Sequence, residues 1–227
     1  VWIVIANSWM QTPAGSHMVQ VTIDNPETGA LVPWFMESAE GALEPMMRAE
    51  VFSFWEMVFN PSTMDRLTHV WLGAFLMGAF FIMSISAWYL LKDRHVQFAK
   101  HSFRGALFLA AVSSVLIMFS GDSNARMISR EQPAKLAAFE GHFHNDGQPA
   151  GLYLFGMPNV EDESVVGVQM PYMLTILAHR DLSTPVIGLN NFEKEDWPLI
   201  TIPFICFHTM VGLGMLMLGL CGLGLFF

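Results

Sequence analysis

Three long stretches of this chain are almost bare of charge. "LTHVWLGAFLMGAFFIMSISAWYLL" (67–91) and the run from Pro198 to Phe227 hold no Asp, Glu, Lys or Arg, and a third apolar stretch covers 102–120. As a helix, an apolar run of about 20 residues matches the hydrocarbon thickness of a bilayer. Lipid offers nothing to bond with a backbone N–H or C=O, so runs of this length without alternation fold as spanning helices. The expected fold class is an all-α integral membrane protein. It is a polytopic bundle of three full spans and the tail of a fourth, "VWIVIAN" (1–7), with a large outer loop. The composition agrees: 53% of residues are apolar and 14% charged, against about 25% charged in soluble domains. The chain opens on an apolar tail without Met and stops at Phe227 without a polar flank, which reads as an internal piece of a larger subunit, not active alone.

Basic residues set the expected orientation. Lys92, Arg94, Lys100 and Arg104 cluster between the first two spans, whereas Gly121 to Trp197 carries 11 acidic and 5 basic residues. Short loops rich in Lys and Arg stay in the cytoplasm. The expected order is an outer segment 8–60, a span 61–92, a cytoplasmic loop 93–101, a span 102–120, an outer loop 121–198 and a span 199–227. In the outer segment, "MVQVTID" followed by "NPETG" predicts one hairpin, and apolar residues near helical spacing predict an interfacial helix over 46–59. The basic cluster reads as a topology signal and head-group contact, not a nucleic-acid patch. "GLGMLMLGLCGLG" (212–224) suits close helix packing and lacks the Lys and Ser/Thr of a phosphate loop. Cys206 and Cys221 stand about 22 Å apart along one helix, too far to bridge.

Polar and soft side chains inside the spans carry the functional question. A histidine in hydrocarbon needs a partner. His69 falls about 12 Å along a helix starting at Pro61, and Met210 about 16 Å along one starting at Leu199. Both helices enter from the outer face, so the two side chains share a depth. Neutral imidazole and thioether form a known axial pair for haem iron and bring no charge into lipid. Spacing alone leaves the alternative open: a histidine bonded to a neighbouring helix, and a methionine that packs, as most of the 17 here must. His208 and Met210, about 200° apart around a helix, do not face one iron together, so His208 is a candidate for a haem edge, a propionate or another helix. In the outer loop, Lys135 and Glu140 lie about 140° apart if the segment is helical, placed to flank a head group. A Glu can take a proton there and a Lys can donate to an oxygen. His142 and His144 have a spacing open to a metal site, but the preferred reading is a solvated loop.

Six stretches, in order along the chain, resemble subunit I of the cytochrome bd quinol oxidases. They are "ANSWMQTPAG" (6–15), "EVFSFWEMVFNPSTMDRLTHV" (50–70), "ISAWYLLKDRHVQFAKHSFRGA" (85–106), "QPAKLAAFEG" (132–141), "MPYMLTILAHRDLSTPVIGLNNF" (170–192) and "FHTMVGLG" (207–214). The resemblance implies a quinol:oxygen oxidoreductase of a bacterial or archaeal cell membrane. It implies a low-spin b haem on His69 and Met210, and quinol (ubiquinol or menaquinol) oxidised near Lys135 and Glu140. A second oxidase subunit and further high-spin haems, b and d type or b only, would lie outside this chain. Many members carry Arg where His208 stands, and the loop looks like the short form. The family's ligands for the high-spin haems, its acidic proton path and its Gly-Arg-Gln-Pro-Trp motif have no counterpart here. Two rival readings are a b-type cytochrome that only relays electrons, and a transporter using His208 as its polar site.

Overall fold

A computed structural model describes residues 1–25, 30–37, 41–145 and 147–226. They form two compact units, Val1–Met64 and Asp65–Phe227.

The first unit begins with helix α1 (Trp2–Gln11) and continues into six short strands: β1 (Ser16–Gln20), β2 (Thr22–Asp24), β3 (Leu31–Pro33), β4 (Phe35–Glu37), β5 (Leu43–Pro45) and β6 (Met47–Val51). Strand β1 pairs antiparallel with β6, β2 with β3, and β4 with β5. The three ribbons meet where Val21 N–H donates to Met46 O, Trp34 N–H to Val21 O, and Met46 N–H to Trp34 O, each at 2.8 Å. One hairpin was expected and a stem with two hairpins is found; turn residues 26–29 of "NPETG" lie outside the described residues. The expected helix over 46–59 is corrected. Residues 47–51 are strand, and only α2 (Phe54–Val58) is helical, opened by Ser53 Oγ accepting from Glu56 N–H at 3.4 Å. The register Gln20↔Met47 through Ser16↔Val51 explains the difference. Cross-strand bonds to a partner some thirty residues back outweigh a local period that fitted either element. At the foot of the unit, buried Thr12 ties α1 to the chain after α2, with its Oγ1 3.1 Å from Asn60 Oδ1 and 2.6 Å from Ser62 Oγ.

Among the described residues, three helices are long and apolar enough to cross a membrane: α3 (Thr63–Leu91), α4 (Val96–Glu131) and α7 (Thr201–Phe226). Asp93 and His95 take positive φ in the tight turn between α3 and α4. Helix α4 exceeds the expected 102–120 at both ends, so most of the expected loop 93–101 and the start of the expected loop 121–198 are helical. The polar run "GDSN" (121–124) reads as a break in isolation. Here Ser123 Oγ donates to Asp65 Oδ1 (2.6 Å), Asn124 Nδ2 donates to Asp65 O (3.0 Å), and Asp122 pairs with Arg126 one turn on (3.1 Å). Leu76 and Ala79 of α3, Leu107 and Ala110 of α4 and Cys221 of α7 share one buried cluster, and the alanines let the helices approach closely.

The segment between α4 and α7 wraps a short helix, α5 (Pro133–Glu140). Leu136 and Phe139 pack with Ala150, Leu174, Ala178 and Val186; Ala137 and Ala138 pack with Phe143, Leu189 and Ile200. Strands β7 (Leu152–Asn159) and β8 (Ser164–Met170) form an antiparallel hairpin, followed by α6 (Met173–His179). Glu163, at the hairpin turn, holds Lys194 Nζ at 2.6 Å and His144 Nε2 at 3.6 Å.

Candidate functional site

Helix α5 starts at Pro133, where a missing N–H costs nothing, and ends at Gly141 in the left-handed region (φ 66°). His142 N–H reaches back to Ala137 O at 2.8 Å and closes the helix end. Gly141 is also a contact: a Cβ there would lie 2.6 Å from Val165 Cγ2 and 3.0 Å from Phe204 Cε2. This close-packed end carries Glu140, 4% exposed, whose Oε2 has no hydrogen-bond partner among the described residues. Burial pushes its pKa from 4.5 up to about 8. A carboxyl taken out of water holds its proton because burial disfavours the anion. At the other end of α5, partial desolvation and then the Arg66 guanidinium hold the Lys135 ammonium below its usual pKa. Arg66 was missed in the sequence. The signal was present: a cation three residues before His69, hence on the same side of that helix.

His69 is half-buried on α3, and its Nδ1 is buried without a hydrogen-bond partner among the described residues. Its ring lies against α4, where a Cβ at Gly121 would stand 3.6 Å from His69 Cε1. One turn along α4 from Gly121, Ile117 borders an open apolar groove of about 460 Å³ with Leu76 of α3 and Ile205, Met210, Leu213 and Met217 of α7. Met210 therefore faces a groove between the three spans; His69 does not line it, but adjoins it one helical turn away. The fit to a haem rests on this donor set. A half-buried imidazole on α3, a thioether on an apolar groove and walls of Leu, Ile and Met are a donor set and lining that would suit a flat apolar macrocycle.

His208 is engaged elsewhere. Its Nδ1 lies 2.8 Å from Phe204 O and its Nε2 2.8 Å from Tyr153 O, and its ring stacks on Phe204 at 4.1 Å. In this structure the ring bridges β7 and α7. Both ring nitrogens already face carbonyl oxygens that the sequence could not place. His142 Nε2 lies 3.1 Å from Val186 O, and His144 faces Glu163. Among the described residues no three His, Cys, Asp or Glu side chains are grouped to hold a metal ion.

Three apolar spans and a folded loop carrying a buried acid define a multi-pass helical membrane protein. The family model for cytochrome bd terminal oxidase subunit I matches residues 1–227, and the chain belongs to that family. It is 34% identical over 198 residues to cytochrome bd-II ubiquinol oxidase subunit 1 of Escherichia coli K12, covering 87% of this chain and 34% of that one. It is 32% identical over 227 residues to cytochrome bd ubiquinol oxidase subunit 1 of Bacillus subtilis 168, covering 96% of this chain and 43% of that one. The bd oxidase of Geobacillus thermodenitrificans shares the fold at TM-score 0.75 and 27% identity, covering 97% of this chain and 45% of the solved one. The chain thus spans less than half the length of the relatives it matches.

Proposed function

We propose that this chain is the electron-entry part of a membrane-bound quinol:oxygen oxidoreductase. Quinol, ubiquinol or menaquinol, is oxidised at the α5 loop. The observation that carries the reading is the Glu140 carboxyl: buried, without a partner at Oε2 and pushed up to about 8, on the same short helix as Lys135. Oxidising a quinol releases two protons and two electrons. Ionised Glu140 takes a hydroxyl proton, and Lys135 donates a hydrogen bond to the oxygen that becomes a quinone carbonyl. The Arg66 cation adds to the field at that oxygen. With the basic turn at 92–104 in the cytoplasm, the α5 loop faces outward and the protons leave on that side. His69 and Met210 would hold a low-spin b haem, which would supply a one-electron acceptor. Oxygen reduction would fall to high-spin haems outside these residues, in an assembly with a second oxidase subunit.

A reduced-minus-oxidised spectrum of membranes holding the full-length subunit tests the reading. His69→Ala and Met210→Leu are expected each to remove the low-spin b band while other haem bands persist. Glu140→Gln is expected to keep that band and slow its reduction by quinol. A band that survives both ligand variants overturns the axial assignment.

A further inference from the structure

A metal-bound histidine usually has its second ring nitrogen fixed by a carboxylate or carbonyl. His69 has no such aid at Nδ1 among the described residues. Something else must set the ring. Asp65 lies one turn before His69 on the same face of α3. Its carboxylate accepts from Ser123 Oγ at 2.6 Å, and its backbone carbonyl accepts from Asn124 Nδ2 at 3.0 Å. In an α-helix that carbonyl is also the acceptor of His69 N–H. The turn carrying His69 is therefore fastened to α4 at the atom its own backbone bonds to. Asn124 Nδ2 also reaches Ser120 O at 3.1 Å, which fastens the donor to its own helix. Gly121, on the same turn of α4 as Ser120 and Asn124, lies against the ring: an added Cβ would be in ordinary contact, 3.6 Å from Cε1. A larger branched side chain there would occupy the ring's position.

We propose that Asp65, Ser123 and Asn124 form a brace, and Gly121 a wall, that together set the height and tilt of the His69 imidazole. They position the ligand from its backbone and from the ring atom Cε1, in place of a hydrogen bond at Nδ1. This rests on the reading of His69 as an axial ligand. None of the four touches the reacting groups; all act through His69.

The test uses the full-length oxidase in membranes, with haem content measured beside the electron paramagnetic resonance signal and midpoint potential of the low-spin haem. Ser123→Ala and Asp65→Leu are expected to keep the haem, broaden and shift its highest-g line and move its potential. Asp65→Asn, which still offers Ser123 an acceptor, is expected to restore both. Gly121→Ala is expected to leave the signal native and Gly121→Val to shift it. Native signals in Ser123→Ala, Asp65→Leu and Gly121→Val would overturn the proposal, as would Asp65→Asn behaving like Asp65→Leu. A His69→Ala variant distinguishes the two readings. If it keeps the band, the ligand assignment fails; if it loses the band while the brace and wall variants stay native, only the positioning fails.

Discussion

Replacing Glu140 by Gln keeps the side chain's size and removes its ability to ionise. Burial holds the Glu140 carboxyl at about 8, against 4.5 in water. At pH 7 roughly one carboxyl in ten is therefore ionised, and at pH 6 roughly one in a hundred. If Glu140 is the base for quinol, kcat/KM for quinol rises about tenfold per pH unit up to about 8 and levels above it. Glu140→Gln is expected to flatten that limb and lower the rate by about 10²- to 10⁴-fold. Stability supplies an independent check. Below pH 4.5 the carboxyl is neutral in both folded and unfolded chains. From there to about 8 the unfolded chain releases the proton while the fold retains it, so stability falls as pH rises through that window. The full loss is on the order of 5 kcal/mol, at about 1.4 kcal/mol per pH unit. Thermal unfolding of the solubilised oxidase at pH 5 and pH 9 should show this decline in the wild type and not in Glu140→Gln. An unchanged rate limb in Glu140→Gln would assign the titration to another group. A wild-type rate that falls between pH 6 and 8 would contradict the base role outright.

Gly141→Ala puts a Cβ on a residue at φ 66° and 2.6 Å from Val165 Cγ2. A cost of about 2–4 kcal/mol is expected, read as a lower unfolding temperature with slower quinol oxidation and the haem bands intact. Phe204→Ala removes a fully buried ring that stacks on His208 and contacts the hairpin at Tyr153. It is expected to cost about 3–5 kcal/mol and to raise the proteolytic sensitivity of the 142–200 segment.

The spans were legible because their constraint is local. A bilayer demands length and apolarity of each segment separately, and 67–91 and 198–227 state both on their face. Their ends were less so. Helix α4 runs on through Ser123 and Asn124 because Asp65, nearly sixty residues back, fastens those polar side chains. The 46–59 segment failed for the same reason, its strand half being decided by pairing with Ser16–Gln20.

In the site, the sequence by itself determined which residue types were available. They are a histidine and a methionine in two apolar runs, a Lys and a Glu on one short helix, and the ordered motifs of the cytochrome bd subunit I family. Tertiary structure decided what each became. Glu140 is an acid at about 8 only because the loop closes over it, His208 is a strut only because β7 brings Tyr153 O to it, and Arg66 matters only because α5 returns Lys135 to the head of α3. Chemical identity and apolar length are properties of short segments, so the sequence carries them directly. Desolvation, field and hydrogen-bond partnership depend on atoms brought together from distant parts of the chain, and those exist only once the chain has folded.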